Sequence, residues 1–168
     1  MSAEHETQTS PIGLLEELDE PGPLVGILVG SESDLEAMDA ALAELRVRVI
    51  SHELKVLSAH RNPRGVAEYS STAQLRGVRV IIAGAGMAAA LPGVVAAYSD
   101  LPVIGVPLRS SKSVGGGLDA LLAIAQMPPG VPVACVSVDG SRNAAILAAR
   151  ILAQGGGYPQ PPSLESNE

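Results

Sequence analysis

The chain has 168 residues, enough for one domain with a substantial core. Hydrophobic residues make up 46% and aromatics only 2%, with no Phe and no Trp, so the core must be built from Val, Ile, Leu and Ala. A formal charge of −7 excludes a sequence-independent grip on nucleic acid, which needs a basic surface, but is compatible with a small phosphorylated ligand held by a few local donors.

Residues 1–22 are acidic and rich in Glu, Pro, Ser and Thr, which predicts a disordered extension. They lack the charged start and apolar run of a secretory signal. Leu24 to Val29 is a short continuous apolar run, as expected of a strand buried on both faces. Residues 33–46 show helical spacing, with Leu35, Met38, Ala41, Leu42 and Leu45 on one face and Ser31 or Ser33 as the cap. A second strand is expected over 47–57, where Val47, Val49 and Ile50 are β-branched. A helix follows Pro63, which suits a first helical turn. Further strands are predicted at Val78 to Ala83, Val103 to Val106 and Val131 to Val138. Helices are predicted at Leu91 to Tyr98, Leu118 to Ala125 and Ser141 to Ala153.

The tail from Gly155 (GGGYPQPPSLESNE) is Gly- and Pro-rich and is also expected to be disordered, leaving 23–154 as the folded domain. No apolar stretch of about 18 residues is free of Gly, Pro and charge, so no membrane span is expected. Cys135 is the single cysteine and lies in an apolar run, which predicts a reducing compartment and a buried, inert thiol. The expectation is a soluble, cytoplasmic protein. Strands regularly alternating with helices predict an α/β fold with a parallel sheet wrapped on both faces.

In such a sheet, ligands bind beyond the carboxyl ends of the strands. Four of the loops there are unusual. Gly30-Ser31-Glu32-Ser33-Asp34 places a glycine and hydroxyls at a helix start, either an anion cradle or plain helix capping. Ser58-Ala59-His60-Arg61 brings together a guanidinium that can fork onto a phosphate and an imidazole that can give and take a proton. His52, in the preceding strand, is read as structural. The run Ala83 to Gly93 is small enough for close approach of a planar ligand. Its loose G-x-G-x-x-A pattern follows the third strand, lacks a ribose-binding acid and is weak support for a dinucleotide. The loop from Pro107 to Gly117 carries Arg109 and Lys112 and is either a lid or simply a long loop. No Cys/His cluster has metal-ligand spacing, and no hydrolytic triad can be assembled around Ser58 and His60.

The segments GSESD, SAHRNP, AGAGMAAALPG, PVIGVP and QMPPGVPV together resemble the phosphoribosylaminoimidazole carboxylase catalytic-subunit family, whose common bacterial members are N5-carboxyaminoimidazole ribonucleotide mutases. The resemblance runs from about Leu24 to Ala153. It implies a flavodoxin-like three-layer sandwich with a parallel sheet of about five strands, assembled as an octamer with active sites shared between subunits, and no metal or organic cofactor. It implies a substrate, 5-aminoimidazole ribonucleotide in carboxylated form, and carbon dioxide as partner. By motif, Ser31, Asp34, Ser58 and Arg61 would hold ribose and phosphate, and His60 would carry the proton. Gly84, Ala85, Gly86, Met87 and Leu91 would line the pocket that retains carbon dioxide.

One position departs from the pattern: the family commonly reads A-A-H-L-P-G where this chain has Ala88-Ala89-Ala90-Leu91-Pro92-Gly93. The alternatives are a carboxylase using free carbon dioxide, a paralogue acting on a related carboxylated ring, or, in a different class, a non-catalytic nucleotide-binding module. The Ala-rich final helix, Ala144 to Leu152, fits subunit packing and core burial equally well.

Overall fold

The computed structural model describes residues 22–154. The extensions expected at either end lie outside the described residues, apart from Gly22. The chain opens with β1 (Val25–Val29), every residue of which is buried. Two 3-10 turns, Glu32–Asp34 and Glu36–Met38, lead into α1 (Asp39–Val47). Then come β2 (His52–Val56), α2 (Pro63–Thr72), β3 (Val80–Gly86), α3 (Ala90–Ala97), β4 (Val103–Leu108), α4 (Leu118–Ala125), β5 (Ala134–Cys135) and α5 (Ser141–Gln154).

The sheet order is β2-β1-β3-β4-β5, with every pair parallel. Strands β1, β3 and β4 are continuous apolar runs because both their faces are covered. Alternation along the strands divides them between two cores. Ile27, Val80, Ile82, Ile104 and Val106 pack with Met38 and Leu45 and with Ala144, Ala145, Ala148 and Ala149 of α5. Leu28, Ile81, Ala83 and Val103 pack on the other face with Val66, Tyr69, Leu91, Val95, Ala120 and Ile124. The alanines of α5 thus belong to the core, which accounts for that face of the helix within a single chain.

Three sequence expectations are corrected. The second strand begins at His52, not at residue 47. Val47 closes α1, and the N–H groups of Val49 and Ile50 return to the carbonyls of Arg46 and Leu45 at 3.0 and 2.9 Å. Val49 takes a left-handed φ of 57°. These helix-ending bonds outweigh a β preference that is only a weak bias. The fifth strand, expected over 131–138, shrinks to two residues, because Pro132 has no N–H to give the ladder and β5 is the sheet edge. Cys135, on that edge, is exposed and not buried. His52 behaves as the structural histidine expected, its Nδ1 2.8 Å from the carbonyl of Ile50.

Candidate active site

The order of the strands reverses between β1 and β3, which opens a crevice at their carboxyl ends. In the loop after β1, Ser31 caps the first 3-10 turn, accepting from the Ser33 N–H at 3.4 Å and the Ser33 hydroxyl at 3.0 Å. The capping reading is therefore realised, with the hydroxyls still at the strand tips. The helix dipole contributes less than the sequence suggests, since regular α-helix begins only at Asp39. Asp34 is half-buried. Burial pushes its carboxyl above the usual range, opposed by the Ser33 hydroxyl, a Ser31 backbone bond and the charge of Arg61.

The loop after β2 is held beside it. The Leu57 N–H donates to the Val29 carbonyl at 2.8 Å, extending the strand pairing by one residue. The chain then turns tightly: the N–H of Asn62 donates to the Ser58 carbonyl at 2.8 Å, and the N–H of Arg61 to the Ser58 hydroxyl at 3.3 Å. Asn62 caps α2 through the Gly65 N–H at 3.0 Å, and Pro63 occupies the first helical turn. The Arg61 guanidinium donates to the Gly30 carbonyl at 2.9 Å, joining the two loops. Ser31, Asp34, Ser58 and Arg61 thus form one polar group from two loops, with His60 exposed on the turn between Ser58 and Arg61.

The loop after β3 adjoins β1, Gly84 pairing with Val29. Gly84 itself lies within the strand. A Cβ there would stand 2.9 Å from Met38 Sδ and 3.2 Å from Leu108 Cδ1, so its smallness serves packing. Ala85 and Leu91 are also buried, at 6% and 2% exposure. Gly86 closes the strand against the Leu108 carbonyl, and Met87 is exposed beyond it. Met87 and Ala89 adopt left-handed φ values of 56° and 41°. Ala90 begins α3 with no side-chain cap before it.

The fourth loop does not join the Arg61 cluster. Arg109 is tied to Asp139, after β5: its N–H donates to Oδ1 at 2.9 Å, and Nε lies 3.5 Å from Oδ2. Lys112 is exposed in a turn whose Ser110 N–H donates to the Ser113 hydroxyl at 2.8 Å. Sequence reasoning overlooked Asp139, although Asp139-Gly140 is a turn-forming dipeptide that announces a loop. A concavity of about 840 Å³, lined by Ser70, Gln74, Tyr98, Asp100 and Pro132 among others, shares no residue with these loops. It lies at the opposite end of the sheet, beside the start of β4.

The strand order and the polar loops gathered at the switch point define a flavodoxin-like α/β protein with an anion-suited edge between β2, β1 and β3. The AIR carboxylase family model matches residues 24–157, and the chain belongs to that family. It is 55% identical over 130 residues to the N5-carboxyaminoimidazole ribonucleotide mutase of Pyrococcus abyssi, covering 77% of this chain and 74% of that one. It is 54% identical over 131 residues to the phosphoribosylaminoimidazole carboxylase of Schizosaccharomyces pombe, covering 78% of this chain and 23% of that much longer one. Among solved structures it is similar to Treponema denticola PurE, with a TM-score of 0.70 and 32% identity, covering 79% of this chain and 81% of that one.

Proposed function

We propose that this chain converts N5-carboxyaminoimidazole ribonucleotide to its 4-carboxy isomer in purine biosynthesis. The observation that carries this reading is the Arg61–Gly30 bridge. It lies where the two loops bring Ser31, Asp34, Ser58 and Arg61 together next to His60, and this supports a reading in which phosphate donors and a proton carrier serve one ligand. The relatives named as mutases support the same activity.

On this reading the Arg61 fork and the Ser31 and Ser58 hydroxyls hold the phosphate, and Asp34 accepts from a ribose hydroxyl. The exocyclic N–carboxyl bond breaks, its electron pair stays on nitrogen, and carbon dioxide is released beside the ring. His60 supplies the proton that nitrogen takes up. Ring carbon 4 attacks the carbon dioxide, and His60 recovers the proton that carbon 4 loses, restoring aromaticity. The proton count closes, and one imidazole serves both transfers. Retaining the gas requires a space closed to water. In the single chain this edge is a set of exposed loop tips, so the reading assigns closure to neighbouring subunits of a cytoplasmic homo-octamer.

The test is His60→Ala. Turnover is expected to vanish while the circular dichroism spectrum and the affinity for inorganic phosphate stay near wild type. Retained turnover rejects the assignment. Isotopically labelled bicarbonate distinguishes the mutase from a carboxylase, since a mutase keeps the transferred carboxyl and leaves the label in solution.

A further inference from the structure

β2 carries the loop that bears Ser58, His60 and Arg61, yet it is the least firmly buried of the long strands. Among the described residues it is an edge strand paired only with β1, and none of its residues is fully buried. Apolar packing alone therefore holds this loop weakly. A polar assembly ties β2 to the helix that follows the loop. Tyr69 of α2, only 8% exposed, donates its hydroxyl to Glu53 Oε1 of β2 at 2.8 Å. To reach it the phenol lies across β1 at Gly26, the residue paired with Glu53, and a Cβ on Gly26 would collide with that hydroxyl. Arg76 completes the assembly. Its Nη2 lies 3.2 Å from Glu53 Oε1, its Nη1 donates to the Thr72 hydroxyl at 2.7 Å, and its guanidinium stacks 4.5 Å over the Tyr69 ring.

The chain leaves β2 at Val56 and enters α2 at Pro63, so the intervening turn is suspended between two arms. The Tyr69–Glu53 bond clamps those arms together. Tyr69 stays protonated at any working pH: burial and the Glu53 carboxylate drive its phenol far above the usual range. We propose that Tyr69 and Glu53 are a positioning pair for the Ser58–Arg61 turn, with Gly26 as the space they require. They touch no substrate and act by fixing where the phosphate donors sit. The inference rests on the function proposed above, since it is read through that substrate.

Tyr69→Phe keeps the ring and its stacking under Arg76 and removes one hydroxyl. It is expected to lower kcat/KM about tenfold, the worth of one hydrogen bond to a charged group, with the loss falling on KM. Glu53→Ala should behave alike, and Glu53→Gln, which keeps an acceptor for the phenol, should restore most of the loss. If kcat/KM of Tyr69→Phe stays within twofold of wild type, or the loss appears in kcat with KM unchanged, the proposal is overturned. Should Tyr69→Phe melt below the assay temperature, the Glu53 pair decides: equal activities of the Ala and Gln variants overturn it. Wild-type enzyme assayed in parallel separates the two ideas, because absence of turnover there rejects the function reading alone. In that event the His60 ring NMR signal judges the clamp: displacement in Tyr69→Phe supports it, and an unmoved signal overturns it.

Discussion

Arg61 offers the most direct measurement of what the strand-tip edge binds. In the free protein its guanidinium sits at the surface and donates to one main-chain carbonyl, that of Gly30, at 2.9 Å. An exposed bond of this kind contributes little to stability, so Arg61→Ala should leave the thermal midpoint nearly unchanged. A forked, charge-assisted contact to a phosphate is worth about 1.5–3 kcal/mol, or about 10- to 100-fold in Kd. Titration calorimetry would compare the 4-carboxy ribonucleotide with its dephosphorylated nucleoside. Arg61→Ala should lose that factor for the nucleotide and almost none for the nucleoside. Arg61→Lys should fall between, since it keeps the charge and loses the fork. The Asp34 carboxyl provides an internal check. Arg61 is one of the influences holding it down, so removing that cation should raise its pKa further. If nucleotide and nucleoside lose affinity equally in Arg61→Ala, the side chain acts on loop geometry and the phosphate assignment fails.

Two further substitutions probe stability against pH. Burial raises the Asp34 pKa, so this group favours the fold below its unfolded value, and the contribution is lost as pH rises through the folded value. Asp34→Asn should therefore raise the melting midpoint at pH 7 while weakening ligand binding, and an unchanged midpoint would count against the desolvation argument. Glu44 has the opposite sign. A hydrogen bond from Arg142 at 2.8 Å, aided by Arg48 just past the end of α1, holds its carboxyl below the usual range and ties α1 to α5. Its stabilisation is present above the unfolded pKa and disappears as pH falls through the folded one. Glu44→Gln should cost about 1–3 kcal/mol at pH 7 and progressively less below about pH 4. Denaturant melts at both pH values would show it, and an equal loss at both would refute the ionic account.

Much of the fold can be read from the chain because β1, β3 and β4 are buried on both faces and so appear as unbroken apolar runs. That in turn locates the loops at the strand tips, and Ser31, Ser58, His60 and Arg61 follow from position and chemistry together. Other features are tertiary. Val47, Val49 and Ile50 look like strand residues until Val47 closes α1 and the carbonyls of that helix claim the N–H groups of Val49 and Ile50. Gly84 cannot be identified in sequence as a glycine that makes room for Met38 and Leu108. Leu91 likewise gives no local sign that it packs in the core. The Arg109–Asp139 pair joins residues 30 apart, and Tyr69 meets Glu53 by passing over a glycine from a third element. No local pattern encodes such meetings.

Met87 and Ala89 give the β3–α3 loop an unusual mutational character. Each holds a backbone geometry that suits glycine and costs an ordinary residue about 1–2 kcal/mol. Random change under selection for heat resistance alone would drift toward glycine at both sites. Such a lineage would gain robustness and give up the fixed backbone that borders the strand-tip crevice. These two codons, separated by that of Ala88, therefore set thermal tolerance against a rigid rim, and engineering of this enzyme for hot processes should leave them alone.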